Sequence, residues 1–150
     1  MAKIITEYLK TRKPKEFIDI LQKQKVNIVF DIRFSDQYPV YYRQAELQEL
    51  LILHNIDYLR FKYLGNPSWN RPPQKTDWFE CKKSYYNQVL QYTLSENQIK
   101  AARLIMATKK DAVICLICYC DTLNPELCHR FWLKDVLEDF QLISKYREDL

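Results

Sequence analysis

Hydrophobic residues recur along the chain either in short runs and at every second position or at every third and fourth position. Segments of the first kind predict strands, segments of the second kind predict helices, and the two kinds alternate. Short apolar or alternating runs are typical of strands, and they occur at residues 3–6, 26–33, 56–64, 111–120 and, as an edge strand, 140–143. Apolar residues three and four apart predict helices, and these cover residues 14–25, 42–54, 78–94, 95–106 and 124–139.

The order of these elements predicts the fold class. Strands that alternate with helices favour an α/β fold with a mainly parallel sheet of about five strands and helices on both faces. The 150 residues contain no repeat or linker, so we expect one domain over residues 1–150. Residues 65–76 have no periodicity and form a predicted loop of about a dozen residues, long enough to suggest a functional role.

Composition narrows the class of protein. Hydrophobic residues make up 47% and charged residues 28%, which excludes a disordered or fibrous chain. No apolar run reaches the ~20 residues needed to span a bilayer. The first residues lack the apolar core of an export signal, so the five cysteines are interpreted as reduced thiols of a cytoplasmic protein. The net charge of +4 is too small to indicate nucleic-acid binding by itself.

The single glycine, Gly65, excludes glycine-rich phosphate loops, which need several glycines at fixed offsets. We expect Gly65 to have a positive φ, or to lie where a side chain would block a pocket.

Candidate chemistry lies at the predicted carboxyl ends of the strands, where ligands bind in open parallel sheets. Asp31 and Arg33 end the second strand on one face, and Cys118 ends the fourth. Cys128, His129 and Arg130 follow one turn into the next predicted helix, which Asn124 and Pro125 open as N-cap and first helical residue. We expect these side chains to converge on one crevice.

The chain also resembles a known family in its motifs. The matching positions are Asp31 and Arg33 after an apolar strand, Tyr58, Leu64-Gly65, Cys118, and Pro125-Glu126-Leu127-Cys128-His129-Arg130. This pattern resembles the family catalogued as domain of unknown function 488, and the resemblance implies an α/β domain with its pocket at these residues. It implies no particular reaction. The chain departs from the family pattern at Thr6-Glu7-Tyr8, at Asn66 (usually Gly) and at Cys120 (usually an acid).

Three hypotheses follow for the function. The first is an enzyme for an anionic, phosphorylated or nucleotide-like substrate. Its catalytic residues would be Asp31, Cys128 and His129, and its substrate-binding residues Arg33, Arg130, Gly65, Cys118 and Tyr58. The second is a nucleic-acid or nucleotide-binding module without catalysis, in which Trp69 and Arg71 of the 65–76 loop stack on a base. The third is an interaction protein whose polar cluster only stabilises the end of the sheet.

Structural roles for the same residues stay open. Asp31 and Arg33 could form a structural ion pair, and Cys118 could be a small buried hydrophobe. Cys128 is a candidate thiolate, but helical neighbours point about 100° apart, so Cys128 and His129 would not face one atom squarely. The tryptophans could anchor the 65–76 loop instead of stacking on a base.

Neither a metal nor a cofactor is expected. The spacing of Cys118, Cys120, Cys128 and His129 matches no common zinc site. The expected partner is an anion, held by Arg33, Arg130 and the backbone N–H groups of the helix predicted to start at Asn124, with nucleic acid as the alternative and no membrane.

Overall fold

Four short segments form one parallel sheet with the strand order β1-β4-β2-β3, and the two central ones, β4 and β2, are the most apolar. The strands are β1 Lys3–Tyr8, β2 Ile28–Asp31, β3 Asp57–Arg60 and β4 Val113–Cys118. The computed structural model describes the backbone of residues 1–75 and 77–148, and the side chains of those up to residue 145. Because β2 and β4 lie side by side, with Asp31 paired to Ile117, their carboxyl ends meet at the centre of one edge.

Helices cover both faces of this sheet, as predicted. They are α1 Pro14–Lys23, α2 Gln44–Leu53, α3 Trp78–Asn87, α4 Thr93–Thr108 and α5 His129–Glu148. α1 and α2 pack on one face through Phe17, Leu21, Leu47 and Leu51. α3, α4 and α5 pack on the other face, where Trp132 is the largest fully buried side chain. The α/β prediction is confirmed.

The predicted fifth strand at residues 140–143 does not form, and the sheet has four strands. These residues belong to α5, because Phe140 continues the helical spacing of Leu133 and Leu137 and packs against the same core. Leu142 and Ile143 are exposed on the other side of the helix. An apolar run of four residues fits either period, and the tertiary packing selects the helix.

Several helix starts and ends differ from the prediction, among them those of α2, α3 and α4. The 78–94 helix stops at Asn87, and a 3₁₀ turn at Val89–Gln91 leads into α4. α4 begins at Thr93, so Ser95 does not cap it; its Oγ donates instead to the Tyr63 carbonyl at 2.8 Å. α2 begins at Gln44, after a 3₁₀ turn at Val40–Tyr42.

The predicted strand over 56–64 is also shorter. β3 ends at Arg60, and Lys62–Leu64 form a 3₁₀ turn. Tyr63 lies on this turn and is exposed, and Leu59, inside β3, is exposed as well, whereas Phe61 is buried, so the three do not share one face as the alternation predicted. Within the described ranges, no helix is long and apolar enough to cross a membrane.

Candidate functional site

Polar side chains at the carboxyl edge of the sheet fall into two groups, one on each face. In β2, Val29 packs with α1 and α2, so Asp31 and Arg33 lie on that face by the two-residue period. In β4, Leu116 packs with the helices of the other face, so Cys118 lies toward α5. We name these groups the carboxylate cluster (Asp31, Arg33, Tyr58) and the thiol cluster (Cys118, Cys128, Arg130).

The carboxylate cluster is a closed, buried ion pair. Arg33 donates from Nε to Asp31 Oδ1 at 2.8 Å and from Nη2 to Oδ2 at 2.7 Å, and its Nη1 donates to the Tyr42 carbonyl at 2.6 Å. The Tyr58 hydroxyl donates to Asp31 Oδ2 at 2.5 Å. Asp31 is 0% and Arg33 1% exposed. The charge of Arg33 is therefore matched by Asp31, and each of its three nitrogens already donates a hydrogen bond.

The pKa values in this cluster agree with a fixed ion pair. Burial by itself lowers the pKa of Arg33, but the hydrogen bonds and charge of Asp31 raise it above its ordinary value. Burial, together with the charge of Asp31, raises the pKa of Tyr58 far above that of a free phenol. Both side chains thus keep their protons at any physiological pH.

Sequence reasoning missed Arg60, which closes the carboxylate cluster from β3. Its Nε and Nη2 donate to the Arg33 carbonyl at 3.0 and 2.5 Å, and Nη2 also meets the exposed Asp36 at 3.1 Å. The strand pattern indicated a polar side chain at this position. A backbone carbonyl as its main partner leaves no sequence signal.

The thiol cluster forms around Arg130. Its Nη1 lies 3.2 Å from Cys118 Sγ and 3.2 Å from Cys128 Sγ, and it donates to the Cys120 carbonyl at 2.9 Å. Nη2 donates to the Thr122 carbonyl. The two sulfur atoms are themselves 3.2 Å apart. All three side chains of the cluster are buried.

This geometry gives the thiols of Cys118 and Cys128 different pKa values. Burial favours a neutral Cys118, but the hydrogen bond from Cys128 and the charge of Arg130 outweigh it and lower the pKa of Cys118 below that of an ordinary thiol. The hydrogen bond to Cys118 raises the pKa of Cys128 to about 11. The cluster therefore pairs Cys118, the thiol whose pKa is lowered, with a Cys128 thiol that keeps its proton, and Arg130 contacts both sulfur atoms.

His129 connects the thiol cluster to the end of β2. Its Nε2 lies 2.8 Å from the Ile32 carbonyl, which assigns the ring proton to Nε2 and leaves Nδ1 free to accept. Nδ1 is 3.8 Å from Cys128 Sγ, within reach of the thiol proton. Burial, reinforced by the charge of Arg71, lowers the pKa of His129 to about 3, so the ring is neutral.

Gly65 lies against the same carbonyl, and its predicted positive φ is wrong. Its φ is −73°, an ordinary extended conformation. A Cβ at this position would lie 2.5 Å from Phe34 N and 2.9 Å from the Ile32 carbonyl oxygen. Glycine is required because two backbone segments approach closely beside the site.

The 65–76 loop is anchored by asparagines. Asn70 is fully buried and donates to Asn66 Oδ1 at 2.7 Å and to the Cys81 carbonyl at 3.0 Å. Trp69 remains 36% exposed, with Lys75 Nζ 5.6 Å from the centre of its ring. Asn66 therefore has a structural role in this loop.

The predicted helix start at Asn124 is wrong. Residues 125–127 form turns, in which Asn124 Oδ1 accepts from Glu126 N at 3.0 Å, and α5 begins at His129. Arg130 is thus the second residue of α5 and does not lie on its second turn. Backbone donors of a helix beginning at Asn124 cannot serve an anion, because that helix end does not exist.

The structure brings together Cys118, Cys128, His129 and Arg130 in one group, and Asp31, Arg33 and Tyr58 in another, instead of the single group predicted. The two groups share one edge of the sheet but occupy opposite faces, linked through the Ile32 backbone. Cys120, which stands where the family pattern has an acid, contributes its carbonyl to Arg130.

Of the comparisons with known proteins, the one with family models gives a match. No curated protein and no solved structure matches the chain. The family model described as "Domain of unknown function DUF488" matches residues 13–137, which include the carboxylate and thiol clusters and Gly65. This match covers well over half of the sequence, and the chain therefore belongs to the domain of unknown function 488 family.

Proposed function

We propose that this protein is an enzyme that uses the Cys118 thiolate on a small anionic substrate held beside Arg130. The observation that carries the proposal is the position of the Arg130 guanidinium between two sulfur atoms, 3.2 Å from each. An arginine placed in this way stabilises a thiolate, and the thiolate is the reactive form of cysteine.

The charge of Arg130 supports this assignment. In the described part of the chain, its hydrogen-bond partners are two sulfurs and two backbone carbonyls, and no carboxylate is among them. A buried cation is costly unless an anion accompanies it. Cys118, whose pKa is lowered, supplies that anion when it is deprotonated.

The nucleophile in this proposal is Cys118, with Cys128 as a proton donor. Cys128 was the candidate nucleophile from sequence, but its thiol keeps its proton and lies between Cys118 and the free Nδ1 of His129. His129 Nδ1 can accept a hydrogen bond from the Cys128 thiol and so orients it, but a ring with a pKa of about 3 does not take its proton. Asp31, Arg33 and Tyr58 hold the edge of the sheet in place.

An anionic substrate fits the remaining charge at this edge. Asp31 neutralises Arg33, whereas Arg130 keeps an Nε–H that is buried without a partner among the residues described. Arg71 lies near enough to lower the pKa of His129 and adds a second positive charge. Phosphorylated or nucleotide-like compounds are the substrate class that such donors favour.

Nucleotide binding without catalysis is the second candidate, because Trp69 presents a half-exposed ring next to Lys75. An aromatic face beside a cation binds a base together with its phosphate. This function would need Trp69 and would not depend on Cys118.

Protection from alkylation separates these functions. Iodoacetamide should modify Cys118 in the reduced protein, and inorganic phosphate or a nucleoside monophosphate should slow that modification. Arg130→Met should abolish the protection, whereas Arg103→Gln, which removes one exposed positive charge on α4, should retain it. Protection that is equal in all three proteins would contradict the proposal. Nucleotide binding that is lost in Trp69→Ala but unaffected by alkylation of Cys118 would favour the second candidate.

A further inference from the structure

Two cysteines ten positions apart in sequence are neighbours in the thiol cluster. Cys118 ends the central strand β4, and Cys128 directly precedes α5, with only turns and irregular backbone between them. Their sulfur atoms are 3.2 Å apart, whereas the sulfurs of a disulfide are ~2.05 Å apart. Since Cys128 belongs to the irregular segment, a small shift of that segment brings the sulfurs to bonding distance.

We propose that Cys118 and Cys128 are a redox-active pair that closes to a disulfide when a small hydroperoxide oxidises Cys118, which switches the thiolate site off. The inference rests on the proposed function in one respect: both use the Cys118 thiolate. It does not require the anionic substrate.

The reaction has two balanced steps. Cys118 releases its proton to solvent, and the thiolate attacks one oxygen of hydrogen peroxide. The O–O bond breaks, and the leaving hydroxide takes up a proton from solvent to become water; Cys118 is now a sulfenic acid. Cys128 then loses its proton, its sulfur displaces the sulfenic hydroxyl, and the S–S bond forms with release of a second water. Two thiols are oxidised and one peroxide is reduced to two waters.

The surrounding groups suit each step. Arg130 Nη1 touches both sulfurs, so its charge stabilises the attacking thiolate and stays in contact as the bond forms. His129 Nδ1 lies 3.8 Å from Cys128 Sγ and orients that thiol, and the proton that Cys128 loses leaves with the sulfenic hydroxyl as water. Both thiols are buried, which favours an oxidant as small as hydrogen peroxide over a bulky disulfide.

The other cysteines provide the controls. Cys115 is buried on the opposite face of β4, in the core with α1 and α2, and Cys81 is buried in α3. Cys120 is only half-buried, and its sulfur also lies near Cys128, so it is the one competing partner to exclude. Cys120→Ser leaves the proposed pair intact and removes that competitor.

The test uses the full chain, reduced and then treated with one to two equivalents of hydrogen peroxide without air. Remaining thiols are blocked with N-ethylmaleimide, and the peptides are mapped by mass spectrometry. We expect a Cys118–Cys128 disulfide in wild type and in Cys120→Ser, reversed by dithiothreitol. In Cys128→Ser we expect a Cys118 sulfenic acid, trapped by dimedone, and far-ultraviolet circular dichroism checks that this variant is folded.

Several outcomes would overturn the inference. The first is a disulfide that contains Cys120, and the second is loss of the Cys118–Cys128 disulfide in Cys120→Ser. The third is that, after peroxide treatment of the wild-type protein, N-ethylmaleimide still modifies Cys118 and Cys128 completely, so that neither thiol has been oxidised. The mapping of the wild-type protein decides the matter even if Cys128→Ser does not fold. Phosphate protection of reduced Cys118 is measured separately. Protection without a disulfide refutes only the redox pair, and a disulfide without protection refutes only the anionic substrate.

Discussion

His129 is a buried histidine whose two ring nitrogens have different partners. Nε2 donates to the Ile32 carbonyl, which also lies against Gly65, and Nδ1 faces Cys128. Burial and the charge of Arg71 hold the ring neutral, so one ring nitrogen donates and the other can accept. His129 thereby fixes the position of the end of β2 relative to the thiol cluster.

The pKa of His129 predicts how stability depends on pH. The pKa is about 3 in the folded protein and ~6.5 in an unfolded chain, so the unfolded state binds more protons between these values. Stability therefore falls as pH decreases through this window, by up to about 1.4 kcal/mol per pH unit from this group. His129→Gln keeps a hydrogen-bond donor for the Ile32 carbonyl but has no group that titrates in this window. Its free energy of unfolding should therefore depend less steeply on pH.

Chemical denaturation from pH 6.5 to pH 5 measures this difference, since most carboxylates stay ionised in that range. His54→Gln is the matched control, because His54 is exposed on the surface. If the free energy of unfolding changes equally with pH in wild type and in His129→Gln, then His129 is not held neutral in the folded protein.

Breaking the ion pair of Asp31 and Arg33 should measurably lower the free energy of unfolding. Asp31→Asn keeps the shape of the side chain but leaves the Arg33 charge buried without an anion, so we expect a loss of about 3–5 kcal/mol in the free energy of unfolding. Asp36→Asn removes an exposed partner of Arg60, and its effect should be at most about 1 kcal/mol. Urea unfolding compares the two, and similar losses for both would contradict the ion-pair account.

At the scale of elements, the segment from Leu64 to Asn70 packs against the end of β2. Gly65 touches the backbone of Ile32 and Phe34, and the Tyr85 hydroxyl from α3 donates to the Leu64 carbonyl at 2.6 Å. The segment is thus held at the carboxyl edge by these backbone contacts and by Leu64, which is fully buried in the core on the face of α3, α4 and α5.

Gly65→Ala tests this packing. The added Cβ would lie 2.5 Å from Phe34 N, so backbone must shift, and we expect a destabilisation of about 1–3 kcal/mol. Ser68→Ala in the same loop alters an exposed residue and should have little effect. The difference in melting temperature between these variants is the measurement, and an unchanged melting temperature for Gly65→Ala would refute the close approach.

The elements show where sequence reasoning succeeds and where it fails. The buried run before Asp31 and the run before Cys118 identify their strands, because a strand covered on both faces needs continuous apolar residues. The prediction fails at Phe140 and at Asn124. Phe140 belongs to a four-residue apolar run that fits two periods, and the Asn124 side chain stabilises a turn as readily as it caps a helix.

Candidate-site prediction shows a similar limit. The sequence pattern brings Asp31, Arg33, Cys118 and Arg130 to one edge, since parallel strands end together. It does not show that Asp31 and Cys118 face opposite sides, because that depends on the register of β2 against β4. The partners of Arg130 could not be predicted either, since two of them are backbone carbonyls in an irregular segment.

At the scale of the whole molecule, the sheet separates two roles. The carboxylate cluster, on the face of α1 and α2, is a neutral, fully bonded pair that stabilises the edge. The thiol cluster, on the face of α5, combines an arginine that has no carboxylate partner among the described residues and two thiols with unequal pKa values. The chemistry is therefore expected on the α5 side of the edge.

Paired alkylation with two reagents tests this claim most directly. Iodoacetate and iodoacetamide attack a thiolate in the same way but differ in charge, so the ratio of their rates at Cys118 reports a positive site next to the sulfur. Relative to a free cysteine peptide, the ratio of iodoacetate to iodoacetamide should be raised roughly tenfold in wild type and Arg103→Gln, the gain of one close charge interaction. It should fall to the peptide value in Arg130→Met. A wild-type ratio equal to that of the peptide, or one that Arg130→Met leaves unchanged, would contradict a thiolate site built around Arg130.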